Sequence, residues 1–407
     1  MATVEKTLVA TTSKFIASGA ALLRVAQHAQ LAAPKNQPIV PILENLLLSV
    51  AGSQLTFTGY DLEHRFTSCP LPIERRGTED VHVCVRGRQL IDLLKNLPDQ
   101  PLTLAVVSDE SKYPSLHVHA VTDSLGFIPT HTATARYEMS GDPGHDYPAA
   151  HPMGKIATSF TLPGHVLLAA LQATLPVTSR DELRPAMTGI LVTVNAATIE
   201  FAATDGHRLV AITKDDEHVL SGEARSFILP HKAAELLLKL VNRAETIELL
   251  VGASQLLVKM ERGELQVRLL DEKYPDYKKV IPADNPNMLT VHRVEMLAAI
   301  KRCQLFAPHT MHQVRFILSP AGCQVEAENK DEISKATESV PGTYEGADMT
   351  IGFNANFLRF FLEKMPCQSV RINMGRNNQP GVFTSADASD GLLCLLMPVM
   401  LTDYNAR

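Results

Sequence analysis

The segment FILPHKAAELLLKLVNRAETIELLV, residues 227–251, decides the fold, because the chain contains three versions of it. It reads as a short apolar strand, a polar joint at Pro230-His231, an amphipathic helix and a second, alternating strand. VCVRGRQLIDLLKNLPDQPLTLAV (83–106) and IGFNANFLRFFLEKMPCQSVRINM (351–374) follow the same order. Leu94, Leu238 and Leu362 take matching helix positions, with steps of 144 residues (238 − 94) and 124 residues (362 − 238). An upstream landmark keeps the same two steps. TGYDLE, ATDGHR and AENKDE place Asp61, Asp205 and Asn329, each after an alternating strand. One shared offset could be chance; two landmarks sharing both are a repeat.

Each copy also opens on a helical apolar pattern: ALLRVAQHAQ, GHVLLAALQAT and VEMLAAIKRCQLF. The unit is therefore strand, helix, several strands, helix and several strands. Its length rules out a solenoid and implies three tandem similar domains of the α+β class with antiparallel sheets. Proline-bearing joints at YPAAHPMGK (147–155) and IPADNPNM (281–288) place the domains at 1–155, 156–284 and 285–407.

Composition narrows the function. Of the 407 residues, 45% are hydrophobic and 20% charged, an ordinary globular balance. No apolar run approaches the ~20 residues that span a bilayer, and the N-terminus lacks the pattern of a signal peptide. A soluble, cytoplasmic protein with no membrane partner is expected. Six cysteines without a C-x-x-C read as reduced thiols. The pairs His117/His119 and His309/His312 lack further ligands at a familiar spacing, so neither metal nor cofactor is expected. A net charge of −6 argues against a chain coated in basic charge, yet leaves room for a basic patch offset by acidic surface.

Asp205 and His207 could be read as a catalytic pair. No nucleophile elbow, phosphate loop, dinucleotide fingerprint or zinc-protease motif accompanies them. Their counterparts, DLE and NKD, keep a carboxylate or amide at the turn and lose the histidine. Asp and Asn serve turns because their side chains bond the nearby backbone, so no catalytic residues are expected.

ATDGHRL (203–209), YPDYKKVIP (274–282) and MPVML (397–401), set in three tandem repeats, resemble the bacterial DNA polymerase III β sliding clamps. The resemblance runs from about Phe15 to Leu401. It implies a head-to-tail homodimeric ring, with sheets outside and helices lining a hole that encloses double-stranded DNA regardless of sequence. It implies a non-catalytic processivity subunit whose partners are the DNA polymerase III catalytic subunit, a clamp loader that uses the ATP, and other proteins bearing a clamp-binding motif.

Carried over by position, the resemblance implies a cleft for partner peptides with leucine and phenylalanine anchors. The cleft takes Met187, Thr204, Gly206, His207, Arg208, Leu209, Pro275, Lys279, Val280, Leu395, Met397, Pro398, Val399 and Met400. DNA-lining residues are Arg24, Lys35, Arg88, Arg184, Lys232, Lys239 and Arg243. Lys95, Arg293, Lys301, Arg302, Arg359 and Lys364 extend the basic pattern on the helices. Leu305 and Phe306 are expected to face Phe127 of a second subunit. Met400 and Lys279 stand where arginines are common, Lys35 and Gln37 where an arginine is expected to touch DNA, and TDYNAR (402–407) follows the usual family end. The extra length in THTATARYEMSGDPGHDYP (130–148) reads as a surface loop. Two alternatives stay open: an enzyme with a His-Asp or His-metal site, and a regulatory or resistance clamp serving other partners.

Overall fold

The described helices come two to a repeat: α1 (Gly19–Gln30), α2 (Gly87–Asn96), α3 (Gly164–Thr174), α4 (His231–Leu240), α5 (Arg293–Cys303) and α6 (Ala355–Lys364). The starts of α2, α4 and α6 keep the steps of 144 (231 − 87) and 124 (355 − 231). The computed structural model describes residues 11–76, 80–109, 112–122, 133–215, 218–387 and 390–401.

Local sequence explains these helices. In α2, Leu90, Ile91 and Leu94 form one buried stripe. In α6, Asn354 caps the start by accepting from the Asn356 N–H at 2.9 Å, and Leu358, Phe361 and Leu362 are buried. Pro366 disfavours helical backbone at Met365, which turns to φ −68°, ψ 127°. Leu238 is only half-buried; its neighbour Leu237 enters the core.

The chain forms two compact units. One takes the described residues up to His165 with Leu236–Leu269; the other takes Val166–Glu235 with the described residues from Leu270. This division passes through the middle repeat.

In the first unit a continuous antiparallel sheet runs in the order Thr158–Pro163, Thr246–Val251, Gln255–Met260, Gly263–Arg268, His64–Ser68, Gln54–Tyr60, Asn45–Ala51, Val81–Arg86, Ala133–Pro143, Lys112–Thr122, Pro101–Asp109, Thr11–Ser18 and Glu74–Arg76. Leu265 faces Phe66 across the join between middle and first repeats. Phe57, Phe66, Leu256 and Val267 are fully buried.

The stretch 130–148 corrects the expectation of a surface loop. Ala133–Pro143 is an interior strand, pairing Tyr137 with Val118 and Asp142 with Cys84. Met139 is buried while Glu138 and Ser140 are exposed, a period of two obscured by small and polar residues.

In the second unit the larger sheet runs Arg225–Pro230, Gly189–Val194, Thr198–Thr204, Arg208–Asp215, Leu392–Leu396, Gly381–Ser385, Ser369–Met374, Asn287–His292 and Gly342–Glu345. A smaller antiparallel sheet is ordered Ser334–Val340, Gly322–Asn329, Gln313–Ser319 and Met349–Asn354. Phe316, Phe353, Phe383 and Phe361 pack edge to face, with centroids 5.6, 6.1 and 5.7 Å apart along the series. They join both sheets to α6. No helix among the described residues is long and apolar enough to cross a membrane.

Candidate functional site

Asp205 builds the turn between the strands Thr198–Thr204 and Arg208–Asp215. Its Oδ1 accepts from the N–H groups of His207 and Arg208, both at 2.9 Å, and its Oδ2 accepts from Arg208 Nε at 2.8 Å. Gly206 occupies φ +88°, where a side chain is strained. Asp61 makes the equivalent contacts with the N–H groups of Glu63 and His64, and Asn329 accepts from Asp331. The aspartate is thus committed to holding a turn. The His207 side chain is exposed and has no hydrogen-bond partner among the described residues.

The turn is sewn to the C-terminal run. His207 C=O accepts from Met397 N–H at 2.8 Å, while Arg208 and Leu209 pair with Leu396 and Leu395. The run then crosses to the smaller sheet, where Val399 N–H donates to Gly352 C=O at 2.8 Å. A Cβ on Gly352 would lie 2.8 Å from Leu401 Cδ2, so only glycine admits this crossing without displacement.

Ala202, Leu209, Ala211, Tyr277, Val382 and Leu395 form the core beneath. Tyr274 Oη accepts from Thr204 N–H at 3.2 Å, and burial pushes its pKa up to about 12, keeping the hydroxyl protonated. Tyr277 donates to Glu200, which also pairs with Lys278 at 3.0 Å. These contacts anchor the single turn Tyr277–Val280 and leave Val280 57% exposed. Met397 and Met400 are 42% and 83% exposed. Pro275 and Lys279 are exposed, whereas Thr204, Pro398 and Val399 are half-buried.

The sequence-derived residues therefore separate by depth. Met187, Leu209 and Leu395 are buried and form a floor; Val280, Met397 and Met400 offer apolar side chains to solvent. Arg184, expected as a DNA-lining residue, has Nη1 3.4 Å from where a Gly206 Cβ would stand, so it belongs beside the turn. Sequence reasoning missed Leu183, 90% exposed, and Phe357 and Phe360 on α6. The two phenylalanines sit outside the buried Leu358/Phe361/Leu362 stripe, and that was the available signal.

Family models for the N-terminal, central and C-terminal domains of the DNA polymerase III beta subunit match residues 13–150, 161–276 and 278–399. The chain belongs to the DNA polymerase III beta subunit family. The beta sliding clamp of Pseudomonas aeruginosa is 26% identical over 363 residues, covering 89% of this chain and 93% of that one. The Chlamydia muridarum beta sliding clamp is 25% identical over 392 residues, covering 96% and 100%. A solved structure of the P. aeruginosa clamp bound to griselimycin has a TM-score of 0.84 at 25% identity, again covering 96% and 100%.

A DNA polymerase III beta subunit is a processivity factor and not an enzyme, which agrees with the committed Asp205. Among the described residues no group of three or more histidine, cysteine or acidic side chains is placed to hold a metal.

The expected DNA-lining cations differ in their commitments. Arg24, Lys239 and Arg243 are exposed, without an ion pair among the described residues, and Lys232 is half-buried. Arg88 donates to Lys35 C=O, and both residues line a cavity of about 260 Å³ with Gln37, Glu44 and Arg86. The third repeat is different. Arg293 donates to Cys367 C=O and Leu362 C=O, both at 2.8 Å; Lys301 pairs with Glu363 at 2.8 Å and Arg302 with Glu338 at 3.0 Å. Hydrogen bonds from Arg302 and Lys301 hold the carboxyl pKa values of Glu338 and Glu363 below the ordinary range. Leu305 and Phe306 lie on the single turn Gln304–Phe306, 77% and 40% exposed. Their expected partner residue Phe127 lies outside the described residues, as does the segment 402–407.

Proposed function

We propose that this chain closes head-to-tail with a second copy into a ring around double-stranded DNA and tethers the DNA polymerase III catalytic subunit to it. Each subunit contributes domains 1–155, 156–284 and 285–407, and works in the cytoplasm. A clamp loader opens and closes the ring, so the chain itself needs no cofactor. Contacts between Arg24, Lys35, Arg88, Lys232, Lys239 or Arg243 and phosphates are independent of sequence. Retention comes from enclosure, which permits sliding where tight affinity would prevent it.

Partner proteins dock by short peptides on the surface formed by Val280, Met397, Pro398, Val399 and Met400, with Gly206 and His207 at the rim. The observation that carries this reading is the contrast in depth: flexible methionines stand in solvent over a turn fixed by Asp205 and a core fixed by Leu209, Tyr277 and Leu395. Methionine adapts to anchors of different shape, while the fixed floor keeps the site in place. Arg184, paired with Asp181 at 3.6 Å, and Lys279, paired with Asp276 at 3.0 Å, stand at its edge. Several clamp-binding-motif proteins can share one surface of this kind.

The decisive experiment loads the protein onto nicked circular DNA with a clamp loader and ATP, and then linearises the DNA. Retention on the circle and loss on linearisation are expected. Equal retention on both forms would refute enclosure. In the same preparation, His207→Ala weakens peptide binding only modestly, since His207 is assigned a rim position and no proton transfer.

A further inference from the structure

We propose that Arg208 is a positioning residue that latches the Asp205–Arg208 turn onto α6, so that partner peptides sense it through the shape of the rim. This proposal rests on the peptide-binding reading above.

Arg208 is held on every side by the protein. Its Nε donates to Asp205 and its Nη2 to Pro176 C=O, each at 2.8 Å. Its guanidinium carbon lies 4.3 Å from the ring centroid of Phe357 and 5.4 Å from that of Phe360. A cation over an aromatic face is attracted by the ring quadrupole, more strongly as water is removed. The Arg208 side chain is only 16% exposed.

The contacts form a continuous series from α6 to the exposed rim. Phe357 and Phe360 hold Arg208, and Arg208 holds Asp205. Asp205 fixes the His207 N–H, and His207 C=O fixes Met397 N–H. If the guanidinium leaves the rings, the turn loses its contact with α6 and Met397 loses a fixed neighbour.

The repeats provide an internal comparison. Stepping back by 144 residues, Arg208 corresponds to His64, whose ring Nδ1 contacts its own Asp61 at 3.1 Å and whose Nε2 is buried without a hydrogen-bond partner. Stepping forward by 124, it corresponds to Glu332. Phe357 and Phe360 correspond to Ala233 and Leu236 on α4, and to Gln89 and Asp92 on α2. All three repeats keep the turn, but the arginine and its aromatic seat occur only at the one joint where the turn borders the exposed methionines. Turn formation therefore does not explain them.

The test is a double-mutant cycle in the full-length protein, read by fluorescence anisotropy of a short fluorescein-labelled peptide carrying leucine and phenylalanine anchors. Arg208→Met and Phe357→Leu each weaken binding about tenfold, the scale of one partly desolvated cation–aromatic contact. The double variant binds no more weakly than the weaker single, and Arg208→Lys recovers part of the affinity, because an ammonium keeps the charge near Asp205 and the rings but cannot also hold Pro176 C=O. Losses that multiply to about a hundredfold in the double variant would mean independent action and overturn the latch. Phe360→Leu provides the same reading, with a smaller loss, if Phe357→Leu fails to fold. Met397→Ala separates the two proposals. A loss there with unaffected Arg208 and Phe357 variants removes the latch and leaves the peptide site; unaffected binding there removes both.

Discussion

Replacing Leu305 and Phe306 together with alanine tests whether the end of α5 closes the ring. In the single chain these side chains are 77% and 40% exposed, so much of their apolar surface contributes nothing to the fold of that chain. Full burial of such a side chain is worth about 1.5–3 kcal/mol. Scaled by the exposed fractions, a covering partner gains about 1.5 kcal/mol from Leu305 and about 1 kcal/mol from Phe306. A closed head-to-tail dimer contains this interface twice, so the double substitution costs about 5 kcal/mol per ring. At about 1.4 kcal/mol per decade, the dimer weakens several-thousand-fold. Gln304 is held by Asn356 at 2.6 Å and by Arg359 at 3.2 Å, so the local turn persists without the two apolar groups. Sedimentation across a concentration series should then show the midpoint between the 44.5 kDa chain mass and twice that value moved several-thousand-fold upward from that of the unsubstituted chain, with an unchanged circular dichroism spectrum. A folded variant whose midpoint does not move refutes the assignment.

Charge substitution should distinguish the repeats: Arg24→Glu, Lys239→Glu and Arg243→Glu weaken equilibrium binding to linear duplex DNA and flatten its salt dependence, whereas Lys301→Gln and Arg302→Gln change it far less because these cations are already paired. Equal effects of the two sets would count against that partition. Burial, followed by the charges of Arg262 and Arg24, lowers the His28 pKa below 6.5; below that pH the unfolded chain gains a proton that the folded chain resists, so stability falls as pH drops from 7 to 5. His28→Leu should reduce this fall in urea denaturation, and an unaltered pH dependence would contradict it. Burial pushes the thiols of Cys84 and Cys323 up to about 12 and that of Cys394 higher still, so iodoacetamide at pH 8 should modify Cys69 alone in the folded protein. Mass spectrometry that finds Cys84 or Cys323 labelled before unfolding would refute this.

The repeat was legible because its signals are local. Alternation before Asp61, Asp205 and Asn329 follows from strand geometry, and the shared offsets need no tertiary information. The strand Ala133–Pro143 was missed because Thr134, Arg136 and Ser140 give it a polar character, and its place between two other strands is a long-range fact. The binding surface was legible in outline through resemblance, yet depth was not: Leu209 and Met397 look equally apolar in sequence, and only packing makes one a floor and the other a rim. The cations of α5 and α6 illustrate the same limit. A basic helix face reads identically whether its charges meet solvent or carboxylates, and Glu338 lies far from Arg302 in the chain. The seat of Arg208 on Phe357 joins residues from different repeats, which no spacing within one repeat could reveal.

The sheets that pass from one repeat to the next also determine how the chain can be divided. Gly263–Arg268 is hydrogen-bonded to His64–Ser68, and Arg208–Asp215 to Leu392–Leu396. A middle repeat produced alone, residues 156–284, would lose both neighbours and present two raw strand edges, one of them carrying Leu209, Val210 and Ala211. Such edges recruit other strands. The excised repeat is therefore a seed for self-association, and dissection of this protein succeeds only where a cut leaves each of these strands with its partner.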